Sequence, residues 1–254
     1  MTKYLLKIFV LLILLTSTGQ AGGSSADIDV EKIVRHIDQL YRSESSYSEL
    51  EMEIITPHWQ RTLKMEGWTS GVKKTFIRIS APKKEKGVAT LRIGNQMWNY
   101  LPKTNKVIKI PPSMMMSSWM GSDFTNDDLV KEFTLFEDYQ YELIQIEDTS
   151  RNLIHINCIP KEDLPVVWGN IVIAVTPEDY IPVWQKYYSE EGKLMRVLRY
   201  SDVRTFGHRR IPATLEMVPQ NKKGHKTVIR YLKLELNLKL DQDVFSLRNL
   251  RQRS

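Results

Sequence analysis

From Leu50 onward the chain alternates apolar and polar residues with a period of two. Leu50, Met52 and Ile54 alternate with Glu49, Glu51 and Glu53, the pattern of a strand with one buried face. Further strands are expected over 59–69, 75–79, 88–93, 96–101 and 106–110, with turn signals at Ser70-Gly71, Pro82-Lys83-Lys84, Gly94-Asn95 and Pro102 to Asn105. The alternation resumes over 139–147, 151–159 and 170–176. Two later pairs, 181–189 with 193–201 and 210–218 with 226–238, flank Glu190-Glu191-Gly192 and Asn221-Lys222-Lys223-Gly224. Short strands separated by turn residues form an antiparallel meander.

Only two stretches carry a helical period with conviction. Asp27 to Arg42 places Ile33, Ile37, Leu40 and Tyr41 on one face, with Asp27 or Asp29 as cap and a polar loop over 43–48 behind it. Asn126 to Phe133 is a second, shorter helix. Thr125 is its cap and Asp128 sits at the capping-box position. The segment Val244 to Leu250 returns Phe245, Leu247 and Leu250 to the body. About eleven strands and two or three helices point to a mainly β (α+β) fold: one large curved antiparallel sheet with helices on one side.

Pro111 to Phe133 interrupts the meander. Four of the ten methionines, Met114, Met115, Met116 and Met120, fall there with Trp119, and no period makes the run one-sided. Pro111-Pro112 ends the preceding strand and Gly121 permits a break. The run either plugs the core or forms an adaptable apolar lid, since methionine suits surfaces that accept variable partners. A long sheet curls and its inner face must be covered. Only the helices and this run are available to cover it. Leu91, Trp98 and Tyr100, on strands next to the run, are candidates to line a cavity beneath it, as are Phe124 and Leu129 at its end.

The N-terminus reads as a targeting signal. Lys3 precedes an apolar run, Leu5 to Leu15, broken only by Lys7, and Gly19-Gln20-Ala21 is a small-x-small cleavage site. The run is short of the roughly 20 residues of a membrane span. Residues 1–21 are therefore expected to be removed near Ala21, leaving one domain over 27–254 in an exported compartment. Loss of Lys3 and Lys7 lowers the formal charge from +6 to +4, too little for a nucleic-acid binder. Cys158 is the only cysteine and forms no internal disulfide; its neighbours Ile156 and Ile159 mark it as a buried thiol.

Chemistry-bearing constellations are sparse. G-x-S-x-G, P-loop, G-x-G-x-x-G and H-E-x-x-H patterns are all missing, and His36, His58, His155, His208 and His225 show no ligand spacing. The expectation is a protein that is not an enzyme and holds neither cofactor nor metal. Asp123, Asp127 and Asp128 are explained by helix capping, with a bound calcium as the alternative, although the loop lacks the alternating oxygen ligands of an EF-hand. Arg204, His208, Arg209, Arg210, Lys222, Lys223, Arg248, Arg251 and Arg253 concentrate basic charge late in the chain. They read as solvated hairpin tips or as a dock for an anionic membrane or acidic partner.

Ser113-Met114-Met115-Met116-Ser117-Ser118-Trp119-Met120-Gly121-Ser122-Asp123-Phe124, followed by Asn126-Asp127-Asp128-Leu129, resembles the LolA-like outer-membrane lipoprotein-sorting superfamily, in its branch of uncharacterised periplasmic proteins. Val167 to Ile171, Tyr180 to Val183, Ile211-Pro212-Ala213 and Phe245 to Leu250 are similar to it as well. The resemblance implies a half-open β-barrel with helices and the Met-rich loop as lid. It implies a periplasmic carrier whose cavity takes the acyl chains of a lipoprotein or lipid and shuttles them towards the outer membrane or a resistance-nodulation-type permease, with transient membrane contact. A lipid-sensing or regulatory binding protein on the same fold is the alternative. The resemblance assigns the cavity arginine of the true lipoprotein carriers to no particular residue of this sequence, which leaves the cargo open among a lipoprotein, a phospholipid and another hydrophobic molecule.

Overall fold

The computed structural model describes residues 28–41, 43–130, 135–146, 152–162 and 168–252. The expected signal segment lies outside them, as do residues 131–133 of the expected second helix.

Helix α1 spans Val30–Gln39, shorter than the sequence pattern suggested, and Asp29 caps it by accepting from the Lys32 N–H at 3.0 Å. Strands β1 (Ser45–Ile55), β2 (Gln60–Ser70), β3 (Lys74–Ala81), β4 (Ala89–Ile93), β5 (Gln96–Leu101) and β6 (Lys106–Lys109) follow as a meander. Next come a 3-10 turn at Pro112–Met114, α2 (Asn126–Val130) and α3 (Leu135–Asp138). Strands β7 (Tyr139–Ile144), β8 (Ile154–Pro160), β9 (Asn170–Val175), β10 (Pro182–Tyr188), β11 (Leu194–Phe206), β12 (Arg209–Pro219) and β13 (Lys226–Leu236) form a second meander. A 3-10 turn at Gln242–Phe245 and α4 (Leu247–Leu250) close the described chain.

All thirteen strands belong to one antiparallel sheet in the order β6-β5-β4-β3-β2-β1-β13-β12-β11-β10-β9-β8-β7. The β1–β13 pairing, from Ser46 opposite Leu236 to Ile55 opposite Lys226, joins the two meanders. The sheet is not closed: β6 and β7 are its edges. This is the expected half-open barrel: each of the thirteen strands among the described residues falls on a segment that the alternation marks, against an expected count of about eleven. The polar stretch expected as a loop over 43–48 begins β1 instead. Ser46 and Ser48 face inward and are buried, and their hydroxyls find partners in Thr69 Oγ1 at 2.6 Å and Gly67 O at 3.5 Å. Paired hydroxyls let a serine-rich run enter a sheet that composition alone disfavours.

The pleat sorts side chains onto two faces. Met52, Ile54, Leu63, Met65, Ile77, Ile79 and Met97 point inward and pack with Ile33 and Val34 of α1, Trp119, Phe124 and Leu135. Phe76, Ala89, Leu91 and Tyr100 point outward, where Phe245 and Leu250 cover them. Asp38 of α1 accepts from the Leu135 and Phe136 N–H groups at 3.1 and 2.9 Å, tying α3 to α1. The Arg35 guanidinium lies 3.3 Å from the Phe136 ring centre, a cation–π contact that adds to this tie.

Candidate functional site

A cavity of about 290 Å³ lies between α1, the inner face of the sheet and the segment that follows β6. Apolar side chains dominate its wall, among them Ile37, Leu50, Met65, Leu198, Leu215 and Ile229, with Trp119 and Phe124 from the lid. The few polar groups are placed rather than scattered. Tyr41 donates to the Pro212 carbonyl at 2.8 Å, and its ring stacks on Tyr231 at 5.0 Å. Burial, with Tyr200 and Tyr231 close by, pushes the Tyr41 pKa well above the usual 10.0; burial and the neighbouring Tyr187 and Tyr231 do the same for Tyr200. Both phenols therefore stay neutral in a dry wall.

The lid is a folded loop held by its own backbone. Trp119 donates its N–H to Phe124 O at 2.8 Å, and Asp127 to Met115 O at 2.7 Å. Met120 and Gly121 take left-handed φ values of 53° and 75°, which reverse the chain at the position where the sequence carries glycine. The capping box forms: Thr125 N–H donates to Asp128 Oδ2 at 2.7 Å, and Asp128 N–H to Thr125 Oγ1 at 3.1 Å.

Four anchors fix this loop to distant strands. Trp119 Nε1 donates to Thr90 Oγ1 of β4 at 3.1 Å. Arg61 of β2 donates to Met120 O. Thr227 of β13 accepts from the Asp123 N–H at 2.9 Å and donates to Asp123 Oδ2 at 2.8 Å. Arg196 of β11 makes a two-pronged contact with Asp128, at 2.7 and 2.5 Å. The Arg196 guanidinium also stacks 4.4 Å from Trp168 and 4.3 Å from Tyr187. Burial pulls the Arg196 pKa down, but Asp128, with Tyr187 and Asp127, carries it above the ordinary guanidinium value. Sequence reading passed over Arg196. It shares the inward parity of Leu198 and Tyr200, so an arginine on an otherwise apolar face was the available signal.

The residues expected to contact lipid separate into three groups. Trp119 and Phe124 line the cavity. Met115 and Met120 are half-buried against the inner core, whereas Met114 and Met116 face outward, 47% and 40% exposed. Leu91, Trp98 and Tyr100 belong to the outer cluster beneath Phe245 and Leu250. The expectation that those three line the cavity fails because β4 and β5 turn Thr90 and Met97 inward instead. The side chain of Leu129 lies outside the described residues.

The late basic residues do not form one surface either. His36, Asp179, His208, Arg209 and Arg210 line a polar hollow of about 330 Å³ beside Leu40, which also borders the main cavity. Arg209 donates there to Gln39 O at 2.9 Å, and Arg210 pairs with Asp179 at 2.5 Å. Lys222 and Lys223 are at the opposite end of the sheet, in the β12–β13 turn. Cys158 is buried, and burial with Asp38 nearby pushes its thiol up to about 12. Among the described residues, no three His, Cys, Asp or Glu side chains gather as metal ligands, and no helix is long and apolar enough to cross a membrane.

A family model for uncharacterized proteins matches residues 71–252. No curated protein sequence matches the chain significantly. Three solved structures share its architecture. A DUF1329 family protein from Desulfovibrio piger is 21% identical over 87% of this chain and 97% of its own, with a TM-score of 0.78. A putative outer membrane lipoprotein-sorting protein domain from Vibrio parahaemolyticus is 18% identical over 86% and 97%, with a TM-score of 0.73. A LolA superfamily protein from Nitrosomonas europaea is 18% identical over 88% and 100%, also with a TM-score of 0.73. At these identities the likeness concerns the fold.

Proposed function

The chain belongs to the family of uncharacterized proteins whose model spans residues 71–252 and has the fold of the LolA superfamily; from that premise we propose a non-enzymatic carrier of lipid-bearing cargo. The mature unit is one domain over 27–254, exported to the periplasm after loss of residues 1–21. It holds the acyl part of a lipoprotein or lipid between α1, the inner sheet face and the lid. It passes this cargo towards the outer membrane or a resistance-nodulation-type permease.

The cavity carries this reading. Withdrawing a long acyl chain from a bilayer costs on the order of 10 kcal/mol, at about 0.8 kcal/mol per methylene. An apolar cavity offsets such a cost, and the wall described above is mainly apolar. Its volume of about 290 Å³ sits at the lower end of ligand pockets, which run from about 300 to 1,000 Å³. A whole chain enters when the Met114–Phe124 lid gives way. Trp119 and Phe124 form the lid's contact with cargo, and Met115 and Met120 adapt to its length.

Transfer of a fluorescent phospholipid from donor to acceptor vesicles tests the proposal. The chain is expected to accelerate transfer in proportion to its concentration. Binding without any acceleration would contradict a carrier and fit a sensor.

A further inference from the structure

We propose that one end of the half-barrel is a docking surface for an anionic lipid bilayer. Residues 57–120 contain twelve Lys and Arg against two Asp and Glu, although the whole chain is only +6. Four of the twelve, Lys83, Lys84, Lys86 and Lys103, sit in turns at one end, and sheet order brings Lys222 and Lys223, far away in sequence, beside them. The turns β12–β13, β1–β2, β3–β4 and β5–β6 stand side by side there. A Cβ built on Gly224 would meet Pro57 at 3.1 Å, and one on Gly87 would meet Pro102 at 3.5 Å, so neighbouring turns touch.

These turns present Lys222 and Lys223, then Lys83, Lys84 and Lys86, then Lys103, all exposed. None of them forms an ion pair among the described residues. Glu85 is the one acidic residue in the four turns, and it is buried and paired with Arg61 at 3.3 Å; the β10–β11 turn, which borders the β12–β13 turn at the same end, carries Glu190 and Glu191 and bounds the basic surface on that side. Trp59 stands between the lysines, 44% exposed. Lysine with tryptophan is the combination that suits a headgroup layer: the ammonium groups meet lipid phosphates and the indole enters the interface. An acidic protein partner would engage the same lysines but gives no role to a protruding indole.

The surface is coupled to the lid. Arg61 lies 5.4 Å beneath the Trp59 ring and donates to Met120 O. A bilayer that displaces Trp59 or competes for Arg61 would loosen the lid where cargo must leave. The docking surface itself stands on the charge of the turns and does not depend on the cavity holding lipid.

Co-sedimentation of the full chain with vesicles of phosphatidylcholine alone, or with phosphatidylglycerol added, tests the surface. Binding is expected only to the phosphatidylglycerol vesicles and should weaken steeply with salt. Lys83→Gln, Lys84→Gln and Lys86→Gln together should lower partitioning on the order of 100-fold. The charge-matched set Lys73→Gln, Arg204→Gln and Lys239→Gln, at the other end, should leave it within about two-fold. Trp59→Ala should weaken it further in the triple variant. No binding to anionic vesicles, equal binding to neutral ones, or equal losses in both triple variants would overturn the proposal.

Discussion

Asp128 of α2 and Arg196 of β11 lie 68 residues apart and meet through two hydrogen bonds, at 2.7 and 2.5 Å, with side chains only 10% and 6% exposed. The pair fastens the lid to the half of the sheet that the lid does not come from. Removing one member strands the other's charge in a dry site, which costs about 3–5 kcal/mol. Asp128→Asn and Arg196→Met should each lose about that much stability in urea unfolding. The double variant should lose clearly less than the sum, since neither charge is then left alone.

Trp119 is 2% exposed and donates to Thr90. Trp119→Ala should cost about 3–5 kcal/mol, as expected for a large buried aromatic. Trp119→Phe should lose less, about 1–2 kcal/mol, from the hydrogen bond and the missing ring. By contrast, Met114→Ser and Met116→Ser remove side chains that already face water. They should stay within about 0.5 kcal/mol of the parent. Thermal melts of the four variants separate the packed side of the lid from its outer side.

Gly169 faces the β10–β11 turn, and a Cβ there would come within 2.7 Å of Glu190 Cα. The obstacle is backbone, which does not rotate away. Gly169→Ala should destabilise by about 1–3 kcal/mol, a cost of overpacking, read as a lowered melting temperature.

Alkaline pH should unfold the protein before it attacks exposed sites. Burial, then Asp38, raises Cys158 from 9.0 to about 12, and burial with neighbouring tyrosines raises Tyr41 and Tyr200 well above 10.0. These groups are neutral in the native state, and their folded values exceed the unfolded ones. Their contribution is complete below about pH 9 and is lost as pH rises towards 12 and beyond. Urea midpoints measured from pH 7 to 11 should fall only above about 9. A thiol reagent should leave Cys158 unmodified at pH 8 unless denaturant is added.

Much of the fold was legible because its strands alternate cleanly and its turns carry glycine and proline. β5 was placed to the residue, and the Thr125–Asp128 capping box formed as read. Which face of β4 and β5 looks inward was not legible. Alternation assigns Leu91, Trp98 and Tyr100 to one face but does not say whether that face is the inner or the outer one; on β4 the polar Thr90 turns inward, and on β5 Met97 does. The outer one is covered by Phe245 and Leu250, some 150 residues later in the chain. The basic end escaped for a related reason. Its lysines occupy turns between residues 83 and 223, and only the strand order makes them neighbours.

Displacement of a fluorescent fatty-acyl probe, comparing the parent chain with Leu215→Trp, bears most directly on the cavity. Leu215 is half-buried and lines the space between α1 and the sheet, so a larger side chain there fills it. The parent should bind one probe per chain, and Leu215→Trp should bind at least ten-fold more weakly while keeping its circular dichroism spectrum. Undiminished binding by a well-folded Leu215→Trp, or none by the parent, would contradict an acyl-binding cavity at this place.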